Sequence, residues 1–161
     1  MKTSRLLFLV PLLLNGCATA EKSYIFDVHF ERPEEWTQVY PAARDKNSLK
    51  YQLLNDSTGA RMLFFSDSTF YRSPESMIGD IKVRFAQGDF HPADIVYDGD
   101  RQASFTFEFP QRGLKGKVAV LRASGTDRRF VVIGRWPAEA DVQATADMDA
   151  ILKDLTIWAE N

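Results

Sequence analysis

Two apolar runs, Val118-Ala-Val-Leu121 and Phe130-Val-Val-Ile133, indicate the architecture of this 161-residue chain. A strand of an antiparallel sheet with one face in water alternates apolar and polar residues, and neither run does so. We therefore predict that both runs are central strands of a sheet that is covered on its two faces.

Further strand patterns surround these two runs. Tyr24, Phe26, Val28 and Phe30 recur at every second position, which predicts one strand over 24–30 with a mostly apolar face. Asp98-Gly99 and Ser124-Gly125 are typical of hairpin turns. In all, strands are predicted over 24–30, 36–40, 49–55, 61–66, 93–97, 102–109, 117–123 and 129–135.

Two helices are available to cover the sheet. The first begins at Ser73-Pro74, because serine is a favoured N-cap and proline is tolerated at the first helical position, and it ends at Gly88. The second is predicted over 138–159, with an apolar stripe at a spacing near 3.6 residues: Met148, Ile151, Leu152, Leu155 and Trp158. We predict a single α+β domain, an antiparallel sheet with a helix on each face.

The amino terminus indicates a secreted, lipid-anchored protein. Lys2 and Arg5 precede a short apolar run, which is the pattern of a signal peptide. Leu14-Asn15-Gly16-Cys17 then resembles the bacterial lipobox, which implies cleavage before Cys17 and a diacylglycerol on its thiol. The expected division is a signal peptide at 1–16, a lipidated tether at 17–23 and a folded domain at 24–161. Cys17 is the only cysteine, so no disulfide forms within the chain.

The same resemblance implies a location in the cell envelope. Ala18 follows the cysteine, and in enterobacterial sorting this favours the outer membrane, with the protein facing the periplasm; the inner membrane is the alternative. Two lipid chains are enough for stable anchoring.

The order of elements resembles the PsbP-like and Mog-type family of α/β/α sandwiches, which includes many small bacterial lipoproteins. The features that carry the resemblance are Phe30-Glu-Arg-Pro33 followed by Trp36, the helix from Ser73 to Gly88, Trp136-Pro137, and Ile151-Leu-Lys-Asp-Leu155. The resemblance implies binding of a protein partner without catalysis. It assigns no role to any single residue, because none of these features is a functional motif.

Charge is distributed unevenly along the chain. Without the signal peptide there are 18 basic and 22 acidic side chains, a net charge of −4, which argues against a nucleic-acid partner. Residues 101–135 nevertheless carry a net charge of +6 and residues 136–161 one of −5. One hypothesis is a basic rim for an anionic partner (lipid head groups, a polyanionic glycan or an acidic protein), made by Arg112, Lys115, Lys117, Arg128 and Arg129. The alternative is that the acidic last helix neutralises the basic strands internally.

Catalytic and metal-binding patterns are weak. Asp27 and His29 would share a face of one strand, but a solvated face explains them equally well. His91 lies in a polar loop, and Asp98-Gly99-Asp100 lacks the rest of a calcium loop. No Gly-x-Ser-x-Gly motif occurs. We expect no catalytic residue, metal or cofactor.

The favoured function is therefore a binding module for a protein partner, in envelope assembly or toxin neutralisation. The alternatives are a small-ligand binder that uses a pocket between helix and sheet and, less favoured, a hydrolase.

Overall fold

The structure, a computed structural model, describes residues 21–25, 28–39, 49–67, 73–122 and 129–157. Within these ranges the helices are α1 (Pro74–Gln87) and α2 (Asp141–Asp154), the latter preceded by a 3₁₀ turn at Ala138–Ala140. The strands are β1 (Glu21–Ile25), β2 (Val28–Arg32), β3 (Thr37–Val39), β4 (Leu49–Asn55), β5 (Ala60–Asp67), β6 (His91–Pro92), β7 (Val96–Asp98), β8 (Gln102–Phe109), β9 (Leu114–Arg122), β10 (Arg129–Pro137) and β11 (Thr156–Ile157).

The main sheet is antiparallel and follows the order β3-β4-β5-β10-β9-β8-β6, with β7 also paired to β8. The two apolar runs of the sequence are β9 and β10, which lie at its centre as predicted. A second, three-stranded sheet has the order β1-β2-β11.

Alternate residues of the central strands enter two separate cores, one on each face of the main sheet. On one face, Val118, Val120 and Val131 pack with Ile78 of α1. On the other face, Ala119, Leu121 and Val132 pack with Met148 and Ile151 of α2. The predicted α+β sandwich, with a helix on each face of the sheet, is confirmed.

Helix α1 begins as the sequence predicts. The Ser73 side chain accepts a hydrogen bond from the backbone N–H of Ser76 at 3.2 Å, and Pro74 occupies the first turn. Gly88 ends the helix, where its N–H donates to the carbonyl of Phe85. Phe85 then packs on Phe105 and Phe107, so the helix lies over β8.

The single strand predicted over 24–30 is wrong. The chain reverses between Ile25 and Val28, which are paired, so Glu21–Ile25 and Val28–Arg32 form two antiparallel strands. A connection of two residues is the shortest common hairpin loop, so no polar stretch marks the turn in the sequence. The proposed pairing of Asp27 with His29 on one strand face needs an unbroken strand, and Asp27 lies outside the described residues. Strand β1 starts at Glu21, inside the predicted tether.

Helix α2 is shorter than the predicted helix over 138–159. It ends at Asp154; Leu155 is extended, with ψ of 110°, and Thr156–Ile157 pairs with β2. Thr156 and Ile157 are β-branched and favour a strand over a further helical turn. Leu155 still joins the core that its apolar stripe predicted, at 1% exposure, whereas Trp158 lies outside the described residues.

The single strand predicted over 93–97 is also wrong. Two short strands, β6 and β7, pair with β8 in its place, and residues 93–95 belong to neither. His91 lies opposite Glu108, and Val96 lies opposite Ser104. Between these two pairs, the chain that holds β6 and β7 therefore has one residue more than β8. An extra residue of this kind is a β-bulge, which interrupts the ladder.

Candidate functional site

Two of the side chains predicted to form a basic rim, Lys115 and Lys117, contact acidic side chains. Lys115 Nζ lies 3.1 Å from Asp141 Oδ2 and 3.2 Å from Glu108 Oε1, and Lys117 Nζ lies 2.6 Å from Asp149 Oδ1. These contacts favour the alternative reading, internal neutralisation by the acidic helix, for these two lysines.

The predicted rim also includes Arg112, Arg128 and Arg129. Arg112 is exposed in the turn between β8 and β9, with its guanidinium 5.4 Å from the centre of the Phe109 ring. Arg129 is buried at the start of β10, with 7% exposure. Arg128 lies outside the described residues, as does Cys17.

Two tryptophans fix helix α2 on the sheet. The indole N–H of Trp36 donates to Asp147 Oδ2 at 2.8 Å, and that of Trp136 donates to Asp141 Oδ1 at 2.8 Å. Both tryptophans are 1% exposed. A buried indole N–H needs an acceptor, and a carboxylate is a strong one. The aspartates that appear in the sequence as an acidic surface therefore hold the helix in place.

The remaining aspartates of α2 also bond outside the helix. Asp149 meets Lys117, and Asp154 accepts the backbone N–H of Glu31 at 2.5 Å. Two opposing effects act on the pKa of Asp141. Partial burial raises the pKa, but hydrogen bonds from Trp136 and Lys115 have the larger combined effect and hold the pKa of Asp141 below its ordinary value. Hydrogen bonds to Asp141 and Glu108 raise the pKa of Lys115 in turn.

A cleft of about 490 Å³ opens between the β2–β3 connection and α2. It is lined by Pro33, Glu34, Glu35, Gln143 and Asp147. Both oxygens of Asp147 are already engaged, by Trp36 and by Gln143 Nε2 at 2.7 Å. The lining of this cleft is therefore mostly polar and acidic.

The weaker candidates for chemistry lie apart. His91 is exposed on an edge strand, and Asp98-Gly99-Asp100 forms the turn into β8, with Gly99 at φ +53°. Ser124-Gly125 lies outside the described residues. In the part of the chain that the structure describes, no three His, Cys, Asp or Glu side chains are placed to hold a metal ion. None of the described helices is long and apolar enough to cross a bilayer.

Among the described residues, helix α1 covers only part of the sheet face on its side. Helix α1 packs on β6, β8 and β9, and its core extends to Phe65 and Val131. The sheet extends beyond this core through strands β3, β4 and β5. On these three strands Val39, Leu54 and Leu63 are half-buried and belong to neither core. We call this area the open face; its outward residues are Thr37, Val39, Gln52, Leu54, Arg61, Leu63 and Arg135.

Alternation along each strand places these residues on one side. Met62 and Phe64 of β5 enter the α2 core, so Arg61 and Leu63 point the other way. The register continues the face across the sheet, with Leu54 opposite Arg61 and Thr37 opposite Leu54. Sequence reasoning missed this surface because alternation within one strand does not reveal which strands lie side by side.

Comparison with solved structures shows which known fold the chain shares. No protein-family model and no curated protein sequence matches it. Its structure is similar to that of PsbP from the cyanobacterium Synechocystis sp. PCC 6803, with a TM-score of 0.59 and 14% identity over 89% of this chain and 96% of that one. It is also similar to the Ran-binding protein Mog1p of Saccharomyces cerevisiae, with a TM-score of 0.58 and 9% identity over 85% and 94% of the two chains. The expected PsbP/Mog-like fold is confirmed.

Proposed function

We propose that this chain is a non-catalytic binding module whose ligand is another protein. The observation that carries the proposal is the open face, where Val39, Leu54 and Leu63 are half-buried outside both cores. A partner that covers these side chains would remove their remaining apolar surface from water, which favours association. The fold of the Ran-binding protein Mog1p supports the same reading, because it shows this scaffold in a protein that binds another.

We further propose that the module is held at a bacterial membrane. The support is the lipobox-like segment Leu14-Asn15-Gly16-Cys17, which follows a signal-peptide pattern. A diacylglycerol on Cys17 and an acylated amino terminus would anchor the chain to the outer membrane, facing the periplasm. Envelope assembly and neutralisation of a toxin are the roles that suit such a module.

Replacing Cys17 by alanine should release the protein from the membrane, because the thiol that receives the lipid is gone. Each buried methylene contributes about 0.8 kcal/mol of membrane affinity, so losing whole acyl chains removes the attachment. The measurement is the distribution of the full-length gene product between membrane and soluble fractions. Thr19→Ala, which leaves the lipobox-like segment intact, is the matched control. Equal membrane recovery of both variants would refute the anchor.

A photoreactive residue at Thr37 should crosslink the protein partner, whereas one at Val142 should not. Thr37 is exposed on the open face, and Val142, 87% exposed, lies on α2 across the sheet. The full chain is irradiated in the cells that naturally make it, and the captured protein is then purified and tested for binding to the unmodified chain. Rebinding of a protein captured from Thr37 alone supports the proposal. Capture from Val142 alone, or from neither position, contradicts it.

A further inference from the structure

Two arginines lie side by side on the open face. Arg61 of β5 is directly opposite Arg135 of β10, and both side chains are exposed. Directly opposite residues of an antiparallel pair have their Cβ atoms about 5 Å apart. The two guanidinium groups thus put two positive charges on one small area of the sheet.

Neither charge is neutralised within the described part of the chain. Arg61 and Arg135 form no ion pair there, although Asp56 and Glu139 lie close to them in the sequence. Lys115 and Lys117, on the other side of the same sheet, each meet an aspartate of α2. Among the described residues, Arg61 and Arg135 thus differ from these two lysines in having no acidic partner.

Like charges placed directly opposite each other destabilise a sheet. This repulsion is relieved when carboxylates lie over the guanidinium groups, because arginine binds carboxylate through paired, charge-assisted hydrogen bonds. A ligand that supplies negative charge here gains those bonds and removes the repulsion as well.

The apolar residues next to the two arginines indicate which other groups the ligand should carry. Leu63 is two residues from Arg61 on β5, and Leu54 is opposite Arg61 on β4. Residues two apart on a strand are roughly 6–7 Å apart on one face, which is also the repeat of side chains along one side of an extended peptide. A segment with an acidic side chain two positions from an apolar one therefore matches the open face.

We infer that the open face binds an acidic, partly apolar segment of a protein, with carboxylates on Arg61 and Arg135 and apolar side chains on Leu54 and Leu63. The inference rests on the proposed function and names the surface and the chemistry of the partner. Anionic lipid head groups would offer phosphates to the same arginines, but they lack apolar groups at the strand repeat.

A defined peptide tests the inference. The probe is a fluorescent peptide of about ten residues in extended spacing, with Glu and Leu two positions apart, and the reference peptide carries Gln for each Glu. Fluorescence anisotropy with the full chain should show roughly tenfold tighter binding of the Glu peptide at low salt. Arg61→Gln together with Arg135→Gln should abolish this preference. Lys153→Gln, which removes an exposed positive charge from α2, should retain it.

Folding is checked by a third variant. Arg61→Glu puts a negative charge opposite Arg135, so the repulsion between the two side chains becomes attraction. The midpoint of thermal unfolding should stay the same or rise. The preference for the Glu peptide over the Gln peptide should be lost.

Three results would overturn the inference. They are equal binding of the two peptides by the native chain, an unchanged preference in the double glutamine variant, and arginine-dependent binding to phosphatidylglycerol vesicles without discrimination between the peptides. If a partner is still captured from Thr37 in the double glutamine variant, the proposed function stands and only this inference fails. If nothing is captured from Thr37 in the native chain, the proposed function fails.

Discussion

Replacing Trp136 by alanine is expected to lower the free energy of unfolding by about 3–5 kcal/mol, the usual cost of removing a large aromatic side chain from a core. Trp136 is 1% exposed and its ring lies against Gly134, where an added Cβ would come within 2.6 Å of Trp136 Cζ3. The same position is 2.5 Å from Met148 Sδ, so the tryptophan lies where β10 meets α2. The substitution opens a cavity and leaves Asp141 without its indole donor.

Urea unfolding followed by circular dichroism measures this loss. Trp136→Phe is the matched control, because it keeps an aromatic ring and removes the indole N–H. We expect it to cost about 1.5–3 kcal/mol, the range for a hydrogen bond to a charged group. A loss below about 1 kcal/mol for the alanine variant would show that this tryptophan does not hold α2 on the sheet.

Gly116→Ala is expected to destabilise the protein by about 1–3 kcal/mol or more, the usual cost of overfilling a packed core. A Cβ at Gly116 would collide with the Gly134 carbonyl oxygen and with the Phe107 ring, whose Cε1 would be 2.7 Å away. Phe107 is paired with Gly116 across β8 and β9, so its ring occupies the space over the glycine. Neither the backbone of β10 nor a ring that is 3% exposed can move away without disturbing the sheet.

Gly79→Ala is the control for this glycine. Gly79 lies within α1, and nothing comes within 4 Å of a Cβ built there. Alanine should stabilise this position by about 0.5–1 kcal/mol, because glycine loses more conformational freedom in a helix. Thermal and urea unfolding of the two variants should therefore shift in opposite directions. A Gly116→Ala variant as stable as the native chain would contradict the packing of β8 on β9.

The parts of the fold that local chemistry determines could be predicted from the sequence. Val118–Leu121 and Phe130–Ile133 lack polar positions, and only a sheet covered on both faces accommodates them. Ser73, Pro74 and Gly88 mark the ends of α1 through caps that act within one turn. The opposite charges of residues 101–135 and 136–161 also suggested that strands and last helix meet, and Lys115 and Lys117 do meet Asp141 and Asp149.

Features that depend on distant contacts could not be predicted. Helix α2 stops at Asp154, where Thr156–Ile157 pairs with β2, a strand far away in the chain. Arg61 and Arg135 are distant in sequence, and only the register of β5 with β10 brings them together. The candidate surface therefore emerges from strand order, which alternation within each strand does not reveal.

We expect the partner to bind on the open face, across the sheet from α2. Methyl NMR of the full chain with the acidic probe peptide tests it most directly. Methyl signals of Val39, Leu54 and Leu63 should shift as the Glu peptide is added, while the signal of Val142 on α2 should stay in place. Shifts confined to α2, or no shift at Leu54 and Leu63 when the peptide is bound, would contradict it.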